Sequence, residues 1–147
     1  MTSMTPMTPV TPIQRLWAEG RLPIEDGVFF ADGRSYAADV VDGGLAVVEE
    51  LDLAQVLAED PDWVTAVDVQ REVPIPGGLV VGGEGAHGSE GFFARLTADR
   101  SLVWVCYFAE HNPFLDLVVD GPDLVATSTS GVVVRVALDA PVSGTAA

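Results

Sequence analysis

The sequence predicts an α+β fold that is mainly antiparallel β, a meander in a layered or sandwich-like arrangement, with two short helices in its N-terminal half. Three observations predict it. Two capped amphipathic segments fall before residue 60, strand-like segments joined by short polar connections run from Phe92 to Leu138, and the stretch Leu102 to Ala109 is apolar on both of its faces.

Residues 1–11 repeat Met-Thr-Pro, and each proline pushes the residue before it towards extended conformations, so this segment reads as a flexible tail rich in Thr, Pro and Met. Thr11 then has the features of a helix cap. Pro12 suits the first helical position and Gln14 stands three residues on, as a capping box requires. A helix over Pro12 to Glu19 places Ile13, Leu16 and Trp17 on one face, and Gly20 can end it. Val28 to Ala31, Ser35 to Val41 and Leu45 to Glu49 are short strands separated by Asp32-Gly33 and Asp42-Gly43-Gly44, the turn chemistry of hairpins. A second helix starts where Asp52 caps and Gln55 sits at the third helical position, with Leu53, Val56 and Leu57 on one side, and Pro61 ends it.

Val64 to Val69 alternates as a half-buried strand. Val73-Pro74-Ile75-Pro76-Gly77-Gly78 reads as an interruption, because prolines lack the donor a central strand needs. From Phe92 onward the strands are Phe92 to Thr97, Leu102 to Ala109, Phe114 to Val119, Leu124 to Thr129 and Val132 to Leu138. In the second of these Leu102, Trp104, Cys106 and Phe108 share one face and Val103, Val105, Tyr107 and Ala109 the other, so the strand is central and needs covering on both sides, by another sheet or by the helices. The chain is thus expected to form one globular domain over residues 12–140, with a second flexible tail over residues 141–147.

Charge excludes whole classes of function. Against 22 acidic residues stand seven basic ones, all arginine, for a net charge of -15. Such a surface repels phosphate, which argues against nucleic acid and against anionic membranes as partners, and it attracts basic proteins and speeds their encounter. Cys106 is the only cysteine, so no intrachain disulfide or thiolate metal cluster forms. The N-terminus has neither the basic residues nor the apolar run of a secretory signal, and the protein is expected in the cytoplasm.

Gly82 to Gly91 holds five glycines together with Glu84, His87 and Glu90 at even spacing. The spacing fits no established zinc or calcium pattern and the phosphate-cradling lysine is missing, so the stretch reads as a solvated, partner-contacting loop without metal or cofactor. Glu110 and His111, with Asn112, Cys106 and Ser89, supply the residue types of a nucleophilic triad. However, Cys106 lies mid-strand in an apolar run and no nucleophile elbow is present, so no catalytic residue is assigned. The cluster Glu59-Asp60-Pro61-Asp62 differs from the other paired acids. Acids at the C-terminal end of a helix oppose its dipole at a cost of a few tenths to about 1 kcal/mol, a cost that a recognition surface tolerates with Trp63 beside them as an aromatic anchor, although Trp63 and Trp104 both read first as core residues.

These features together suggest a protein-interaction module that neutralises or escorts a basic protein, in the manner of the small acidic immunity proteins of bacterial toxin systems, although no motif carries a family. Its partner-binding residues are expected among Glu59, Asp60, Asp62, Trp63, Glu84, His87, Glu90, Glu110 and His111. The alternative is a small-molecule-binding β domain with a cavity lined by Phe92, Trp104, Tyr107, Phe108 and Phe114, and a third is a structural subunit of a larger assembly.

Overall fold

Local capping chemistry sets both helices, as seen in a computed structural model that describes residues 10–142. The Thr11 hydroxyl accepts from the backbone N–H of Gln14 at 3.4 Å while the Gln14 side chain accepts from the backbone N–H of Thr11 at 2.9 Å, a complete capping box that opens α1 (Pro12–Ala18). Asp52 accepts from the backbone N–H of Gln55 at 3.2 Å and opens α2 (Leu53–Glu59). Ile13 and Leu16 of α1 and Leu53 of α2 are buried.

Eight strands form one antiparallel sheet: β1 (Arg21–Pro23), β2 (Gly27–Phe30), β3 (Ser35–Val41), β4 (Gly44–Glu50), β5 (Val64–Ile75), β6 (Gly78–Gly85), β7 (Gly91–Thr97) and β8 (Leu102–Phe108), in the spatial order β1-β5-β6-β7-β8-β2-β3-β4. A second sheet, also antiparallel, has β10 (Asp123–Ser128) between β9 (Phe114–Asp120) and β11 (Val133–Ala137). No helix among the described residues is long and apolar enough to cross a membrane.

The small sheet lies against one face of the large sheet and the helices lie against the other. On the small-sheet side Val28, Phe30, Val80, Phe93, Trp104, Cys106 and Phe108 pack with Phe114, Leu117, Leu124, Ala126, Val134 and Val136. On the helix side Phe29, Val81, Phe92, Ala94, Val105 and Tyr107 pack with Ile13, Leu22 and Leu53. The doubly apolar strand β8 sits between β7 and β2, and both of the covers that its composition could call for are present.

Four sequence expectations are corrected. First, Leu102 belongs with Val105 and Tyr107 and not with Trp104, because the β7–β8 register shifts after Arg95, leaving Val103 as the extra residue of a bulge and exchanging the faces there. Second, β5 does not stop at Val69; it continues through Pro74, which pairs with Leu79. β1 covers β5 only at Val64 to Ala66, so at its far end β5 is a ladder edge where proline is tolerated. Pro76 then precedes Gly77 at φ +81°, the proline-glycine pattern of a type II turn, and closes the hairpin.

Third, the glycine-rich stretch is largely strand. Gly82, Gly83 and Gly85 are buried in β6 and only residues 86–90 form a connection. The glycines admit a neighbouring backbone: a Cβ on Gly82 would lie 2.3 Å from the Phe114 carbonyl oxygen, and one on Gly91 would lie 1.9 Å from that of Asn112. Fourth, the C-terminal tail does not begin at residue 141. The Leu138 carbonyl accepts from Trp104 Nε1 at 2.9 Å and from Arg95 at 2.8 Å, and Pro141 and Val142 are buried behind it. The rest of that segment, 143–147, and residues 1–9 of the N-terminal one lie outside the described residues, while Thr11 is fixed by its bond to the Ala31 carbonyl at 2.8 Å.

Steric exclusion at Gly91 generates a first prediction. Gly91→Ala is expected to lower the unfolding free energy by about 1–3 kcal/mol, the usual cost of forcing atoms into a packed site. Gly88→Ala, where an added Cβ meets nothing within 4 Å, is expected to change it little. Urea unfolding of the two variants side by side measures both.

Candidate functional site

The candidate residues lie far apart in sequence, yet the ladder of the large sheet brings most of them to one end of it. Antiparallel pairing sets the start of β2, β5 and β7 beside the end of β1, β6 and β8. Besides the β3–β4 turn at the far edge, the connections at this end are residues 24–26, 60–63, 86–90 and 109–113. Side chains stitch them together. Trp63 Nε1 donates to Glu25 at 3.0 Å, the backbone N–H of Ala109 donates to Asp26 at 2.8 Å, and the backbone N–H of Asn112 donates to the Ser89 carbonyl at 2.8 Å.

Trp63 reaches the surface because the chain turns tightly after α2. The Asp60 N–H still bonds to the Val56 carbonyl, the Asp60 carbonyl accepts from Trp63, and the Trp63 carbonyl accepts from Ile24. Trp63 is 40% exposed, and the orientation of its indole is set by the bond to Glu25. A shallow groove of about 320 Å³ beside it is lined by Glu25, Val56, Glu59, Asp60 and Trp63. Glu25 was not legible in the sequence, since it lies 38 residues from its tryptophan on a connection after a three-residue strand.

Arginines neutralise acids elsewhere. The arginine ion pairs among the described residues join Arg21 to Glu19, Arg34 to Asp32, Arg95 to Asp139, Arg100 to Glu72, and Arg135 to Asp120 and Asp123. Between Arg34 and Arg71 the chain carries nine acids (Asp39, Asp42, Glu49, Glu50, Asp52, Glu59, Asp60, Asp62 and Asp68) and no arginine, lysine or histidine. The carboxylates around Trp63 are therefore left without cations of their own.

Glu90 is corrected most sharply, from a residue of a solvated loop to a buried carboxylate, 3% exposed. It accepts from the Thr65 hydroxyl at 3.0 Å, from the backbone N–H of His87 at 2.9 Å, from the Tyr107 hydroxyl, and lies 3.2 Å from Nδ1 of His87. The Thr65 hydroxyl in turn accepts from the N–H of Ala86 at 3.2 Å. Burial pushes the Glu90 carboxyl up, but the bonds from Tyr107, His87 and Thr65 outweigh it and hold the group below the usual carboxylate range. Burial and the neighbouring Glu90 push the Tyr107 phenol up, which keeps it protonated as the donor. This network anchors the 86–90 connection to the start of β5, two residues from Trp63.

The other expected contacts divide. Glu59, Asp60, Asp62 and Glu110 are exposed, and the His87 side chain is largely exposed. Glu84 is half-buried on β6 and accepts from Gln70, while the half-buried His111 ring lies 5.0 Å from that of Phe108. Glu84, His87 and Glu90 do not converge, and among the described residues no group of three or more His, Cys, Asp or Glu side chains could hold a metal ion. Cys106 is fully buried between the sheets, where burial pushes its thiol up. The five aromatics expected to line a ligand cavity are all fully buried and divided between the two faces of the large sheet, Phe92 and Tyr107 on one and Trp104, Phe108 and Phe114 on the other, so no single cavity is lined by them. Compared with known proteins, the chain matches no family model, no curated protein and no solved structure.

The Glu90 network generates a second prediction, whose sign follows from a lowered native pKa. The stabilisation is present above the unfolded carboxylate range, near pH 4.3, and is lost as the pH falls through the native value. Glu90→Gln is expected to cost about 1–3 kcal/mol at pH 7, the value of buried bonds to a charged acceptor, and to flatten the loss of stability between pH 5 and pH 3 relative to wild type. Urea unfolding across that pH range measures both effects.

Proposed function

We propose that this protein is an acidic binding module for a basic protein, and that it engages its partner through the end of the large sheet that carries Trp63. The observation that carries the reading is an exposed indole, fixed by Glu25 beside a groove that Glu25, Glu59 and Asp60 line, with Asp62 preceding it in the chain and no arginine among them. An oriented aromatic face attracts a guanidinium or ammonium group through its quadrupole, and uncompensated carboxylates around it add long-range attraction. Glu110 and His87 on the adjoining connections extend the same surface. A duplex or an anionic bilayer would be repelled from it. The reading fits an immunity-type inhibitor or an accessory protein acting in the cytoplasm, where a fold without disulfides stands on packing alone.

The test begins with capture from the native lysate at low and moderate salt, followed by reconstitution with the purified partner. Trp63→Ala is expected to weaken binding at least tenfold, as truncation of a central aromatic anchor does, and neutralising Glu59, Asp60 and Asp62 together is expected to slow association and flatten its salt dependence. Asp116→Asn, on the outer face of the small sheet, is the control. A partner whose affinity ignores Trp63 and the three acids would overturn the proposal, and a complex indifferent to salt would favour a structural subunit of an assembly.

A further inference from the structure

At the opposite end of β8 from Trp63, the helix-side face of the large sheet is incompletely covered. Trp17 stands edge-on to Phe92, ring centroids 5.8 Å apart at 75°, and two hollows of about 400 and 230 Å³ meet beside it. The larger runs from Val10 past Trp17 and Ala18 to Leu102, and the smaller continues to Val67, Val69 and Leu96. Arg100 borders both, but two bonds to Glu72, at 2.9 and 2.6 Å, occupy its guanidinium. What is left is an apolar groove with an aromatic wall.

We propose that the occupant of this groove is the chain's own Met-Thr-Pro segment, residues 4–9. Position is the first argument. Thr11 is pinned by Ala31 and Gln14, so the chain leaves the fold at the groove, and Val10, 58% exposed, already lines it. Pattern is the second. Met4, Met7 and Val10 are spaced by three and each is followed by Thr-Pro. The helix that proline favours has three residues per turn, so this spacing puts every third side chain on one side, in line with Val10. Chemistry is the third: thioethers fill irregular apolar hollows and contact aromatic edges, and proline-rich segments lose little entropy on docking in aromatic-lined grooves. Residues 1–9 also bear no charged side chain, so docking sets no carboxylate against apolar walls.

Two of the protein's three methionines, Met4 and Met7, lie in this segment and the third, Met1, precedes it, which makes peroxide oxidation of the full-length chain a direct probe with an internal reference. Under native conditions Met4 and Met7 are expected to form sulfoxide several-fold more slowly than Met1, read residue by residue by mass spectrometry. Ala18→Arg, which fills the groove from an exposed helix position, is expected to abolish the difference while leaving the unfolding midpoint in place. Equal rates for the three methionines in wild type, or protection that survives Ala18→Arg, would overturn the proposal. Protection that disappears on dilution would assign the groove to a second copy of the chain and overturn it as well.

Discussion

The burial of the large sheet on both faces is the constraint on which the rest of the structure depends. β8 offers water no polar face, with Trp104, Cys106 and Phe108 on one side and Val105 and Tyr107 on the other, all fully buried. A sheet with such a centre is stable only if two separate layers cover it. The chain supplies them from its two halves: the helices come from the first, and the hairpin strands β9 to β11 come from the second. Each cover is small, and neither buries its own apolar face without the sheet between them. Close packing of three layers also explains Gly82 of β6 and Gly91 of β7, since the chain passing from β8 into the small sheet crosses them at contact distance.

The same geometry prepares the candidate surface. Connections at one end of a ladder would be independent of one another were it not for the polar ties between them. Glu90, Thr65 and Tyr107 form the inner tie, while Glu25 and Asp26 form the outer one. Trp63 is consequently held on two sides, by Glu25 through its ring and by Ile24 through its carbonyl. A surface ordered before its partner arrives loses less entropy on binding, and affinity benefits accordingly.

Much of this was legible in the sequence because it was written locally. Thr11 and Gln14, Asp52 and Gln55 declare the helices through interactions three residues apart, and period-two alternation marks the strands from Phe92 onward. What escaped depends on partners distant in sequence. Three residues, Arg21 to Pro23, carry no periodicity that would announce β1. Pro74 looked like a breaker because its tolerance depends on where β1 stops covering β5. Glu90 looked solvated because Thr65 and Tyr107, which bury it, are 25 and 17 residues away. The acidic cluster with Trp63 was visible as a run of residues, whereas Glu25, which orients the indole, was not.

The distribution of arginines has a consequence for motion in solution. Arg34 and Arg100 occupy the turns at the end of the large sheet remote from Trp63, each beside a carboxylate of its own, while the end that carries Trp63 has none. Charge is thus unequally divided along the strands, and the molecule has a permanent dipole in addition to its net charge. In the field of a cationic body such a molecule feels a torque as well as a pull, and it rotates so that the Trp63 end leads. Fewer collisions are then wasted on the wrong face, and this selection of orientation weakens as salt shortens the range of the field.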